Sequence, residues 1–197
     1  MCSGKMFKIS KRKFQWFSRE DVTGFTLIEA IVAIGVISVG FVGSLVLLSK
    51  ASSQAVAVKD RVVAAHLAAE GVEVIRNIRD TNWLKGRDWL NGLIEPSDAP
   101  TGTIVSGVVN YDSGAIDSSD SSEPRKCLNW DGSFYRHAAA PAYVCTTSFG
   151  RQIVLQKKEE NISGQNISYL EIKSAVQWKE KGVIKSLTVI DHLYDWK

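Results

Sequence analysis

Few side chains in this sequence have both the type and the setting that chemistry requires, and one stands apart. Glu29 is the single charged residue between Phe25 and Leu48, a run of 24 positions without Lys, Arg or Pro. A carboxylate at depth in a bilayer costs on the order of 3 kcal/mol. Such an acid either sits close enough to the interface to stay wet or meets a cation once water is gone. The run itself supplies no cation. A free α-amino group at the start of an identical helix would serve, and that requires the chain to be cut just ahead of the apolar segment.

The other candidates are weaker. Asp112, Asp117, Asp120 and Glu123 lie in an acidic, Ser-rich stretch (112–124) but lack the alternating spacing of a calcium loop, so a solvated loop is the better reading. His66, His137 and His192 have no Cys, Asp or His companion at the spacing of a metal or nucleophile motif, and each reads as a surface or packing residue. Cys127 and Cys145 fit a disulfide formed in an oxidising compartment, closing a loop worth roughly 3 kcal/mol. Two unrelated reduced thiols are the plainer alternative, and a zinc site would need four ligands. No catalytic constellation emerges, so neither an enzyme nor a cofactor is expected.

Charge and hydropathy then organise the chain. Residues 1–24 carry six basic groups (Lys5, Lys8, Lys11, Arg12, Lys13, Arg19) against Glu20 and Asp21, whereas the remaining 173 residues carry 18 basic and 19 acidic groups. The basic character therefore belongs to the N-terminal tail. Only local clusters such as Gln156-Lys157-Lys158 remain elsewhere, and there is no clear nucleic-acid site. Residues 25–48 would make about 36 Å of helix, enough for a hydrocarbon core of roughly 30 Å. They exceed the apolar region of an ordinary secretory signal, about 7–15 residues. Basic residues ahead of the span predict a cytoplasmic N-terminus with the bulk of the chain outside.

The helix pattern continues. Ala55, Val58, Val62, Ala65, Ala69 and Val72 form a small apolar stripe, flanked by Val63, Leu67, Val74 and Ile78, with Arg76 and Arg79 facing away. One helix is predicted from about Phe25 to Asn82. Its first half is apolar all round and its second half is amphipathic. Beyond Leu84, Gly86, Gly92, Pro96, Pro100 and Gly102 open a connecting region of about 84–125, with a short strand at 103–109. Segments 151–156, 168–178 and 183–196 read as strands, the last two joined by a turn at 179–182, within an antiparallel sheet of about 133–196. The helix stripe is the natural cover for that sheet. The predicted class is α+β, with a leader at 1–24, a membrane or filament-core helix at 25–50 and a globular head at 51–197 whose helical part is 51–82.

Gly24-Phe25-Thr26-Leu27-Ile28-Glu29, behind a basic leader and ahead of an unbroken apolar helix, resembles the type IV pilin signature, the class III signal of prepilins and pseudopilins. The resemblance implies a pilin-like lollipop. It further implies cleavage between Gly24 and Phe25 by a prepilin peptidase, and N-methylation of Phe25. Glu29, fifth in the mature chain, would neutralise the terminal amine of a neighbouring subunit. The implied partners are the peptidase, other pilin subunits through helix packing, an inner-membrane assembly platform, and the lipid bilayer before assembly. The tail 174–196 resembles the last strands of minor pilins of the pilus-modification type. A minor pilin in the cytoplasmic membrane and then in an extracellular pilus is thus the leading expectation. The alternatives are a pseudopilin of a type II secretion or competence system, located in the periplasm, and a membrane-tethered binding protein. The sequence departs from the commonest pattern in its long leader, in Val46 where many pilin helices have a kinking proline, and in a cysteine pair placed before the final strands.

Overall fold

The computed structural model describes residues 24–118, 126–137, 145–162 and 164–195. The leader up to Thr23, Asp120 and Glu123 of the acidic stretch, and Trp196 lie outside the described residues. The chain divides into two compact units, Met1–Lys50 and Ala51–Lys197.

Helix α1 spans Leu27–Leu84, 58 residues, close to the predicted bounds. Its end is specified locally. Gly86 adopts φ 67°, the Gly86 N–H donates to Trp83 O at 3.1 Å, and the Arg87 N–H donates to Asn82 O at 2.9 Å. This pair of bonds is a Schellman closure, and it needs a residue without Cβ strain at the left-handed position.

In the second unit, α1 packs on a four-stranded antiparallel sheet ordered β1-β4-β5-β6. The strands are β1 (Ile104–Gly107), β4 (Phe149–Ile162), β5 (Gln165–Glu180) and β6 (Val183–Tyr194). β2 (Leu128–Trp130) and β3 (Tyr135–His137) form a separate two-stranded sheet. The β5–β6 hairpin closes through Lys181 and Gly182, both at positive φ (50° and 84°), which matches the right-handed twist of the flanking strands. Alternation places Leu170, Ile172, Ser174, Val176 and Trp178 of β5 in the interior, with Ile153 and Leu155 of β4 beside them.

The helix face that meets this sheet includes Val72 of the expected stripe and Leu67, Val74 and Ile78 of its flank, but most of the stripe itself lies elsewhere. Ala55, Val58, Val62 and Ala69 are exposed, and the buried residues are Ala64, Leu67, Ala68, Gly71, Val72, Val74, Ile75, Ile78, Arg79, Asn82 and Trp83. The period is right but the phase is rotated, because Ala and Val occur on both faces and give little contrast. Gly71 marks the closest approach: a Cβ there would lie 2.7 Å from Ser174 Oγ and 2.8 Å from Ile153 Cδ1. Arg79, expected to face away, is buried with its guanidinium 4.6 Å from the Trp83 ring centroid and bonded to Asp80 at 2.8 Å.

Candidate assembly and processing site

Gly24, Phe25 and Thr26 precede the first helical turn in non-helical backbone, and all three are exposed. The Thr26 hydroxyl accepts from the Glu29 N–H at 3.3 Å, and the Thr26 carbonyl accepts from the Ala30 N–H at 3.2 Å. Thr26 therefore caps α1, with Glu29 in the position of a Thr-x-x-Glu capping pattern. Negative charge in the first turn also suits the helix dipole, by ~0.3–1 kcal/mol. This local role is written in Thr26-Leu27-Ile28-Glu29, although the apolar surroundings direct attention to membrane chemistry. The two roles are compatible. Capping here uses the backbone N–H of Glu29, and its carboxylate has no hydrogen bond or ion pair among the described residues.

The polar groups that follow are handled within the helix. Ser38 Oγ donates to Ile34 O at 2.7 Å and Ser44 Oγ donates to Gly40 O at 2.9 Å. Such back-bonds leave neither hydroxyl dependent on water for a hydrogen bond. Ser38 and Ser44 are the only polar side chains between Ala30 and Leu48. Glu29 is thus left as the unmatched group of this segment. Gly35, Gly40 and Gly43 have open space where a Cβ would stand, which suits close approach of another helix. Leu27–Leu84 is long and apolar enough to cross a membrane, near the N-terminus.

In the second unit, Cys127 and Cys145 form a disulfide with Cα atoms 5.7 Å apart, within the usual window. Cys127 bridges Gly150 and thus ties the β2 hairpin to the start of β4. The histidines do not converge: His66 and His192 are exposed and His137 is buried. Asp112 pairs with Arg136 at 3.3 Å, and the described residues contain no group of three or more His, Cys, Asp or Glu able to hold a metal. The basic pair in Gln156-Lys157-Lys158 is consumed internally. Lys157 Nζ donates to Ala99 O at 2.8 Å, and Lys158 Nζ meets Glu171 at 2.7 Å.

Two charged constellations escape sequence reasoning. Arg151 is fully buried, donating to Leu67 O (2.9 Å), Val109 O (2.7 Å) and Glu70 (3.0 Å). Burial pushes its guanidinium pKa down, against the opposing pull of Glu70. Its position in an alternating strand, Arg151-x-Ile153-x-Leu155, is the only sequence signal that it points inward. On the opposite face of the sheet, Glu171 is held by Lys158, Lys173 at 2.8 Å and His192 at 3.5 Å. Hydrogen bonds from the two lysines lower its carboxyl pKa to about 2. Both sets hold unit 2 together, and neither presents a nucleophile.

Comparison with models of known protein families, with curated proteins and with solved structures gives no match to this chain.

Proposed function

We propose that the chain is a structural subunit of a type IV pilus, in the manner of a minor pilin. On this reading a prepilin peptidase removes the leader after Gly24, Phe25 becomes the N-methylated first residue, and α1 enters a filament core. One observation carries the reading. Glu29 presents a carboxylate without a partner among the described residues, at the head of an exposed apolar segment whose two other polar side chains, Ser38 and Ser44, bond back to their own helix. A neighbour's terminal amine has the charge to match it, and a buried charge left alone is costly. The exposed, non-helical Gly24–Phe25 junction supports cleavage, since a protease needs extended backbone it can reach. The same helix would lodge the subunit in the cytoplasmic membrane before assembly.

Mass spectrometry of purified surface filaments tests the proposal. The expected result is this chain beginning at methyl-Phe25. A chain recovered only with Met1 or Cys2 attached, and never in filaments, overturns it.

A further inference from the structure

β6 is the edge of the four-stranded sheet. It pairs with β5 along one side and with no strand along the other among the described residues. Natural proteins blunt such edges with proline, bulges, short length, lysine or inward-pointing charge. Of these β6 carries charge alone, Lys185 and Asp191, which turns away strands that do not match it. β6 contains no proline, and its 12 residues pair with β5 without a bulge from Val183↔Glu180 to Tyr194↔Tyr169. It therefore offers a regular row of backbone donors and acceptors about 40 Å long. Val183, Ile184 and Ile190 are exposed along the strand.

The charges on β6 indicate what fits there. Lys185 and Asp191 stand symmetrically about Thr188, and both fall on the sheet face shared with Leu187, Val189 and Leu193. Suppose a second β6 lies antiparallel with Thr188 opposite Thr188. Each Lys185 then faces the other copy's Asp191, so the pair is made twice. Neighbouring registers place Lys185 opposite Ile190 or His192, and the next ones place it opposite Val189 or Leu193. Parallel in-register pairing would set lysine against lysine. Lys185 has no ion pair among the described residues. Asp191 holds Arg76 at 2.7 Å but remains one-third exposed, with room for a second cation. The same register matches Leu187 with Val189 and Ile184 with His192, and it keeps the α1-covered faces of both sheets on one side.

We infer that β6 is a self-complementary edge through which two copies of this chain join by antiparallel strand addition centred on Thr188. This holds independently of the pilus reading, because it rests on the second unit alone. An edge contact buries less than a standard stable interface, so the pairing is weak and responds to local concentration.

Register-specific cross-linking of the full chain in detergent tests it, in a Cys2→Ser background. Under mild oxidation, Thr188→Cys should form a dimer with itself. Ser186→Cys should cross-link to Ile190→Cys in a mixture at least several-fold faster than either does alone. Lys185→Glu in the Thr188→Cys protein should slow dimer formation by roughly tenfold, as should Asp191→Lys. Mixing those two charge variants should restore the rate, since each then faces an opposite charge. Equal cross-linking at all positions, no cross-linking at any, or Thr188→Cys dimers indifferent to both charge reversals would overturn the inference. Should a charge variant fail to fold, the Ser186/Ile190 mixture decides the register without it.

Discussion

The two stretches of α1, Leu27–Lys50 and Ala51–Leu84, solve the same problem in opposite ways. In the first, every residue is exposed and the serines bond back to their own helix. In the second, one face is buried against the sheet, and its polar groups find partners far away in sequence, as Arg76 does with Asp191. Glycine shows the difference most sharply. Gly35, Gly40 and Gly43 have nothing around them, whereas Gly71 is hemmed in by Ser174, Ile153 and Arg151. Charge shows it again, since the Glu29 carboxylate has no partner among the described residues while Arg151 pairs with Glu70, and Glu171 with Lys158 and Lys173. One helix thus has an apolar stretch left exposed and a stretch that walls a finished core.

Substitutions can break this contrast. The largest effect is expected at Arg151. Arg151→Ala strips Leu67 O, Val109 O and Glu70 of their donor and leaves a void, costing roughly 3–5 kcal/mol in denaturant unfolding of the detergent-solubilised chain. Glu29→Ala should leave that unfolding curve unchanged within ~1 kcal/mol. It should nevertheless reduce incorporation into filaments ~tenfold or more, by quantitative immunoblot of sheared pili. Wild-type incorporation would remove the assembly role assigned to the acid.

The glycine contrast predicts opposite signs. Gly71→Ala should destabilise unit 2 by about 1–3 kcal/mol through overpacking. Gly43→Ala meets nothing and should gain up to ~1 kcal/mol in helix stability. The smallest effect concerns acid. The Glu171 pKa of about 2 lies below its ordinary value of 4.5, so its stabilisation is fully present above pH 4.5 and is lost as pH falls toward 2. Because both lysines are partly solvated, that contribution is ~1 kcal/mol. Glu171→Gln should flatten this part of the acid-unfolding profile, and an unchanged profile would show that the cluster is not coupled to folding.

Legibility in the sequence followed the range of the interactions. α1 and the β5–β6 hairpin were readable because continuous apolarity, strand alternation and the Lys181-Gly182 turn are local signals. The helix phase was misread at Ala55, Val58, Val62 and Ala69, since small apolar residues stand on both faces and the buried stripe includes Gly71, Arg79 and Asn82. β2 and β3, three residues each, carry too little pattern to register. Thr26 as a cap was present in the letters but overshadowed by the run it opens.

By itself the sequence determined the class of the fold, a helix near the N-terminus long and apolar enough to cross a membrane, and the isolation of Glu29 within it, because each depends on neighbours along the chain. Only the tertiary structure decided which face of α1 is covered, that Arg151 is buried, and that β6 ends the sheet with a symmetric pair of charges. Those outcomes depend on which distant backbones and side chains approach within a few ångströms, and no local period encodes that.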